Sequence, residues 1–145
     1  MAINRFSFVS YNMRGFQSGL AMVRDLSMDF SIIAVQEHWL RSDSLDRLGM
    51  VNDNFCFYGV SGMNEAVSSS LLKGRPFGGT AFLWNSCLNN NIKVLDASPD
   101  GRCLAISITL NEKVVVMFNV YLPCLESSPI YDADLDEYIG FIERY

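Results

Sequence analysis

The chain has 145 residues, of which 50% are hydrophobic and 19% charged. That is ample material for one packed domain and excludes a disordered, low-complexity chain. A net charge of −5 and a pI of about 4.7 argue against binding nucleic acid through basic side chains alone, although a carboxylate-held metal ion supplies positive charge that a residue count misses.

No apolar run reaches the roughly 18 residues of a membrane span. The opening MAINRFSFVS lacks the apolar stretch of a signal peptide. A nuclear or cytoplasmic protein, not secreted and with no membrane partner, is therefore expected.

In chain order, Arg5 to Asn12 (RFSFVSYN) alternates, with Phe6 and Phe8 on one face and Val9 and Tyr11 on the other, and reads as a strand. Gly15 breaks it. Ser18 to Met28 carries Leu20, Met22, Val23 and Leu26 at helical spacing, with Ser18 suited to the N-cap. Ser31 to Gln36 (SIIAVQ) is a short apolar run that predicts a strand buried on both faces. Strand, helix and strand over about 30 residues make one parallel crossover unit.

The polar stretch Arg41 to Gly49 predicts a short helical connection, and Phe55 to Val60 (FCFYGV) a strand. Ser61 to Pro76, rich in Ser and Gly, predicts a surface loop. Gly78 to Trp84 and Ile92 to Leu95 are further strands. Arg102 to Leu110 and Lys113 to Tyr121 flank Asn111-Glu112 as a hairpin, because Asn tolerates the positive φ of a two-residue turn. The last segment is a helix, with Pro129 in its first turn and Asp132, Asp134 and Asp136 near its N-terminus. Its expected apolar stripe is Leu135, Tyr138, Ile139 and Ile142. Strands that pair both ways, with helices between them, predict two mixed sheets packed together with helices outside.

Most polar and sulfur-bearing motifs have a plain structural meaning. Cys56, Cys87, Cys103 and Cys124 are widely spaced with no CxxC and read as buried free thiols. Phe6, Phe8, Phe55, Phe57 and Phe82 are expected in the core. Gly78-Gly79 lacks the pattern of a phosphate loop. Asp132, Asp134 and Asp136 lack the glycine and bidentate Glu of a calcium loop.

Two residues stand out by position. Asn12 and Glu37 end the first two strands, and if those strands are neighbours both side chains emerge at one sheet edge, where α/β sheets bind ligands. Mg²⁺ is usually held by one or two carboxylates with waters and substrate phosphate, a role open to Glu37. Taken alone, Asn12 reads more often as a turn residue and Glu37 as an exposed strand end.

The words SYNMRGF (10 to 16), VQEHWL (35 to 40), GGTAFLW (78 to 84), GRCLAISI (101 to 108) and FNVYLP (118 to 123) follow one another in a familiar order. Together they resemble the endonuclease/exonuclease/phosphatase superfamily, and the QEHWL form is most similar to endonuclease domains of non-LTR retrotransposons. The resemblance implies an α/β fold, a four-layer α/β/β/α sandwich of the DNase I-like type, with residues 1 to 145 as its truncated, N-terminal portion. It implies Mg²⁺ or Mn²⁺ bound at Glu37, Asn12 and Tyr121 at the scissile phosphate, and Arg102 organising the site.

The implied activity is hydrolysis of DNA phosphodiester bonds, as in retrotransposon target-site nicking. DNA is then the substrate and the rest of a polyprotein, with a possible reverse transcriptase, the partner. The family's later Asp-x-Asn and Ser-Asp-His motifs are not in this sequence. His38 does not match the catalytic histidine and is expected to be structural or at the substrate edge. A catalytically inactive fragment or remnant is one alternative. A phosphodiesterase or phosphatase for inositol phosphates or lipids is another, against which QEHWL weighs.

Overall fold

The computed structural model describes residues 5–63, 76–122 and 131–145. Seven strands form two sheets. The first sheet contains β1 (Phe8–Asn12), β2 (Ile32–Gln36), β3 (Phe55–Val60) and β4 (Thr80–Asn85), in the order β1-β2-β4-β3. Strands β1 and β2 run parallel, Phe8 beside Ile32 and Asn12 beside Gln36, while β4 is antiparallel to both β2 and β3. The second sheet is an antiparallel meander of β5 (Ile92–Ala97), β6 (Cys103–Leu110) and β7 (Lys113–Val120).

Helix α1 (Phe16–Asp29) makes the β1–β2 crossover, and α2 (Tyr131–Glu143) follows the second sheet. Short 3-10 segments span Ser42–Met50 and Ser86–Asn91.

The two-residue period of the strands sorts the side chains into layers. Ile33 and Val35 of β2, with Ala81 and Leu83 of β4, pack on Phe16, Leu20 and Val23 of α1. The alternate residues Ile32, Ala34, Phe82 and Trp84 face Leu104, Ile106 and Ile108 of β6 across the interior. The outer face of β6, Cys103 and Ala105, meets Tyr138 and Phe141 of α2. The layers are therefore α1, first sheet, second sheet, α2: a four-layer α/β/β/α sandwich. Strand β2 is buried along its whole length, which is why its sequence is continuously apolar. Burying each Ile or Val there contributes roughly 1.5–3 kcal/mol.

Several local expectations are corrected. Helix α1 starts at Phe16, two residues before Ser18, and no side chain caps it. Its first donors are met by the end of β2, Gly15 N–H to Glu37 O and Phe16 N–H to His38 O, both at 2.8 Å. Strand β4 starts at Thr80 because Gly78 and Gly79 adopt positive φ of 71° and 92°.

Helix α2 docks through Tyr138 and Phe141, leaving Ile139 and Ile142 exposed. Phe8 is 61% exposed, because β1 pairs only with β2 among the described residues. Cys87 is exposed and Cys56 half-buried, so of the three described thiols Cys103 alone is buried. The hairpin turn is as expected, Asn111 and Glu112 having φ of 48° and 65°. Most of the Ser61 to Pro76 loop, Pro129 and Cys124 lie outside the described residues.

Candidate functional site

One end of the sandwich gathers the carboxyl ends of β1, β2 and β7 and the amino ends of β4 and β6. Parallel pairing sets Asn12 beside Gln36, one residue before Glu37. Beyond the strand the pairing continues: Met13 N–H donates to Gln36 O at 2.9 Å, and Glu37 N–H to Gly79 O at 2.8 Å. The exposed Asn12 accepts from Arg14 N–H through Oδ1 at 3.0 Å. That turn engages the carbonyl end and leaves the NH₂ end suited to an anionic oxygen.

Glu37 is half-buried with φ of 56°. Its Oε2 accepts from the Trp39 indole Nε1–H at 2.7 Å and from Gly78 N–H at 3.4 Å. Among the described residues these side-chain hydrogen bonds fall on Oε2 alone. No group of three His, Cys, Asp or Glu side chains converges there or elsewhere among the described residues. The Glu37 carboxylate is then the group this rim can offer a divalent cation among the described residues, and Mg²⁺ is usually held by few protein ligands and several waters.

On the second sheet, Arg102 precedes β6 and Tyr121 follows β7. Tyr121 N–H donates to Arg102 O at 2.8 Å, and Arg102 Nη1 donates back to Tyr121 O at 3.2 Å. The guanidinium also lies 5.5 Å from the Tyr121 ring centroid, a cation–π contact. Asp100 anchors this turn. Its carboxylate accepts from Ser98 Oγ at 2.6 Å, from Arg102 N–H at 3.1 Å and from the Tyr138 hydroxyl of α2. Burial opposes its ionisation, but these donors and the Arg102 charge hold it below the usual carboxylate range. Burial first, then the Asp100 carboxylate, raise the Tyr138 hydroxyl well above its ordinary value.

Sequence reasoning overlooked the contacts that join the two sheets here. Asn119 of β7 is buried, donates through Nδ2 to Val35 O and Ala81 O at 2.9 Å each, and accepts at Oδ1 from Gln36 Nε2 at 2.7 Å. Gln36 also donates to Ser10 Oγ at 3.0 Å. Nearby, Thr80 Oγ1 donates to Gly101 O at 3.0 Å. The available signal was one carboxamide in each of two otherwise apolar strands, SIIAVQ and VVVMFNV, because a buried amide needs partners. All four candidates, Asn12, Glu37, Arg102 and Tyr121, therefore occupy the same rim.

His38, the only histidine of the chain, points inward and is fully buried. Its Nε2 donates to Val60 O and its Nδ1 accepts from Leu40 N–H, each at 2.9 Å. Burial drops its pKa to about 4, against partial support from the carbonyls and Glu37. A side chain at Gly79 would run into the imidazole ring. It is a neutral structural residue that ties the ends of β2 and β3 together.

Solved structures show what this arrangement is similar to. The chain overlays the AP endonuclease LMAP from Leishmania major with a TM-score of 0.62 at 14% identity, covering 92% of this chain and 47% of that one. It overlays a 3′ phosphatase from Neisseria, bound to product DNA hairpin, with a TM-score of 0.65 at 16% identity, covering 96% and 51%. The chain shares the α/β/β/α sandwich fold of these structures.

The endonuclease domain of TRAS1, a telomere-specific non-LTR retrotransposon, is also among the neighbours, with a TM-score of 0.50, 12% identity and coverage of 97% and 52%. The chain spans about half the length of the solved structures it matches. No family model matches it, and no curated protein matches it in sequence. Among the described residues no helix is long and apolar enough to cross a membrane.

Proposed function

We propose that residues 1 to 145 form the metal-carrying portion of a longer nuclease domain that cleaves DNA phosphodiester bonds, in the manner of retrotransposon target-site nicking. The observation that carries this reading is the shared rim. Parallel β1 and β2 bring Asn12 and Glu37 to one edge, and the Gln36–Asn119 and Thr80–Gly101 hydrogen bonds hold Arg102 and Tyr121 at the same end. Neighbours of this fold that were solved with DNA support DNA as the substrate class.

In this reading Glu37 binds Mg²⁺ or Mn²⁺, which when bound neutralises charge developing on phosphoryl oxygens. Asn12 presents its amide NH₂ and Tyr121 its phenol to the non-bridging oxygens, donors aimed at the charge of the transition state. Arg102 holds Tyr121 in place through its ring and its carbonyl. The remainder of the same polyprotein, with a reverse transcriptase, is the proposed partner, and the nucleus or cytoplasm the proposed location.

A second reading has its own observation. Water activation at such a rim needs a proton acceptor, and the only histidine is buried, neutral and engaged at both nitrogens. By itself the chain is then a binding half, inactive unless further residues complete the site. Inositol phosphates and lipid phosphodiesters remain the alternative substrates.

The test is Mn²⁺ binding to the purified chain, followed by electron paramagnetic resonance, together with plasmid nicking. Binding that disappears in Glu37→Gln, without nicking, is the expected outcome. Unchanged binding in Glu37→Gln would sink the metal assignment. Nicking by the chain alone would overturn the inactive-half reading.

A further inference from the structure

Glu37 is one of two neighbouring residues held in an uncommon backbone conformation. It has φ of 56° and Trp39 has φ of 59°, in a region that non-glycine residues rarely adopt and hold only when their surroundings impose it. Here the surroundings are explicit. Glu37 N–H and Trp39 N–H donate to the carbonyls of Gly79 and Gly78, at 2.8 and 3.0 Å, with the buried His38 between them.

The double reversal turns the Trp39 indole back over the residue two positions before it. Its Nε1–H then donates to Glu37 Oε2 at 2.7 Å, a short, charge-assisted bond. On the other side the ring rests on Gly15, whose φ is 100°. A Cβ there would sit 2.7 Å from the six-membered ring of the indole. Gly15 therefore leaves space for an indole and little room for it to move. The Gly78 amide reaches the same carboxylate oxygen at 3.4 Å.

We infer that Trp39 is a positioning residue for metal binding, its indole N–H engaging Glu37 Oε2 so that Oε1 is the oxygen presented to the cation. This rests on the metal role of Glu37 proposed above. A carboxylate fixed by a donor on one oxygen binds a cation without first losing rotamer freedom. Outer partners of this kind commonly change metal affinity by about 10–100-fold. Trp39 is not a ligand and acts only through Glu37. The chain contains two tryptophans. The other, Trp84, donates its indole N–H to Asn89 Oδ1 at 3.1 Å, in a different part of the molecule.

The test uses the whole purified chain and two readouts. Mn²⁺ affinity is measured for the wild type, Trp39→Phe and Glu37→Gln, with thermal unfolding of each. Mg²⁺ is also titrated into the ¹⁵N-indole-labelled wild type, whose two indole resonances are assigned with Trp39→Phe or, should that variant not fold, with Trp84→Phe. Trp39→Phe is expected to weaken Mn²⁺ binding about 10–100-fold, and only the Trp39 indole resonance should move as Mg²⁺ saturates.

Tight binding in Trp39→Phe, with binding lost in Glu37→Gln, would overturn the positioning role and leave Glu37 as ligand. A Trp39 resonance that stays still while the metal saturates would do the same. No metal binding in the wild type, or equal binding in Glu37→Gln, would remove the metal role of Glu37 and this inference with it.

Discussion

His38 shows how one side chain can make the rim sensitive to acid without taking part in chemistry. In the unfolded chain a histidine protonates near 6.5, whereas burial holds folded His38 neutral down to about pH 4. As pH falls through that window, protons bind the unfolded chain first. The stability carried by neutral His38 is complete above pH 6.5 and is lost between there and pH 4. At about 1.4 kcal/mol per pKa unit the loss amounts to about 2–3 kcal/mol by pH 4.5. Urea unfolding of the wild type and His38→Gln at pH 7.5 and 4.5 checks this. The variant should be less stable at pH 7.5, since it breaks two buried hydrogen bonds, but should lack this share of the acid loss. Parallel losses in the two proteins would refute the assignment.

Helix α2 is an element whose existence was legible while its buried face was not. Leu135, Tyr138, Ile139 and Ile142 share one helical stripe, yet the helix is rotated so that Tyr138 and Phe141 face the sheet. Two contacts decide the rotation. The Tyr138 hydroxyl reaches Asp100 in the β5–β6 turn, and Phe141 meets Phe118 edge-on at 6.4 Å between ring centroids. Phe141→Ala should therefore cost about 3–5 kcal/mol, and Ile142→Ala under about 1 kcal/mol, as read by denaturant midpoints. Equal costs would mean that the stripe, and not Phe141, is buried.

Strands β2 and β3 were easier to read, because runs as apolar as SIIAVQ and FCFYGV have few stable alternatives. The start of α1 was misread for a local reason. Ser18 offers a cap, but carbonyls of residues 37 and 38 satisfy the helix start, and that pairing is tertiary. The positions of Asn12 and Glu37 followed from the crossover unit alone. Trp39 and Asn119 did not, because each acts through a backbone reversal or a contact far away in the chain.

At the level of the molecule, each sheet ends in two edge strands among the described residues, β1 and β3 in the first and β5 and β7 in the second. Among the described residues β1 pairs only with β2 and β7 only with β6, so each presents a bare edge. Between these edges Phe6, Phe8, Val115, Met117 and Phe118 line an apolar cleft of about 300 Å³. Bare edges beside apolar surface recruit other chains. The purified chain should elute above monomer size at high concentration. Phe8→Ser with Val115→Lys should restore the monomer at little cost in stability, both positions being exposed. A wild type that stays monomeric at every concentration would contradict this.

The Asn119 amide has a consequence for timing. Its partners lie 38, 83 and 84 residues away along the chain, so it can bond only after both sheets have formed and met. A contact made that late is expected to form on the native side of the folding barrier, so Asn119→Ala should speed unfolding and leave the folding rate nearly unchanged, as stopped-flow kinetics would check. The lifetime of the assembled rim, more than the ease of assembling it, is what this one carboxamide governs.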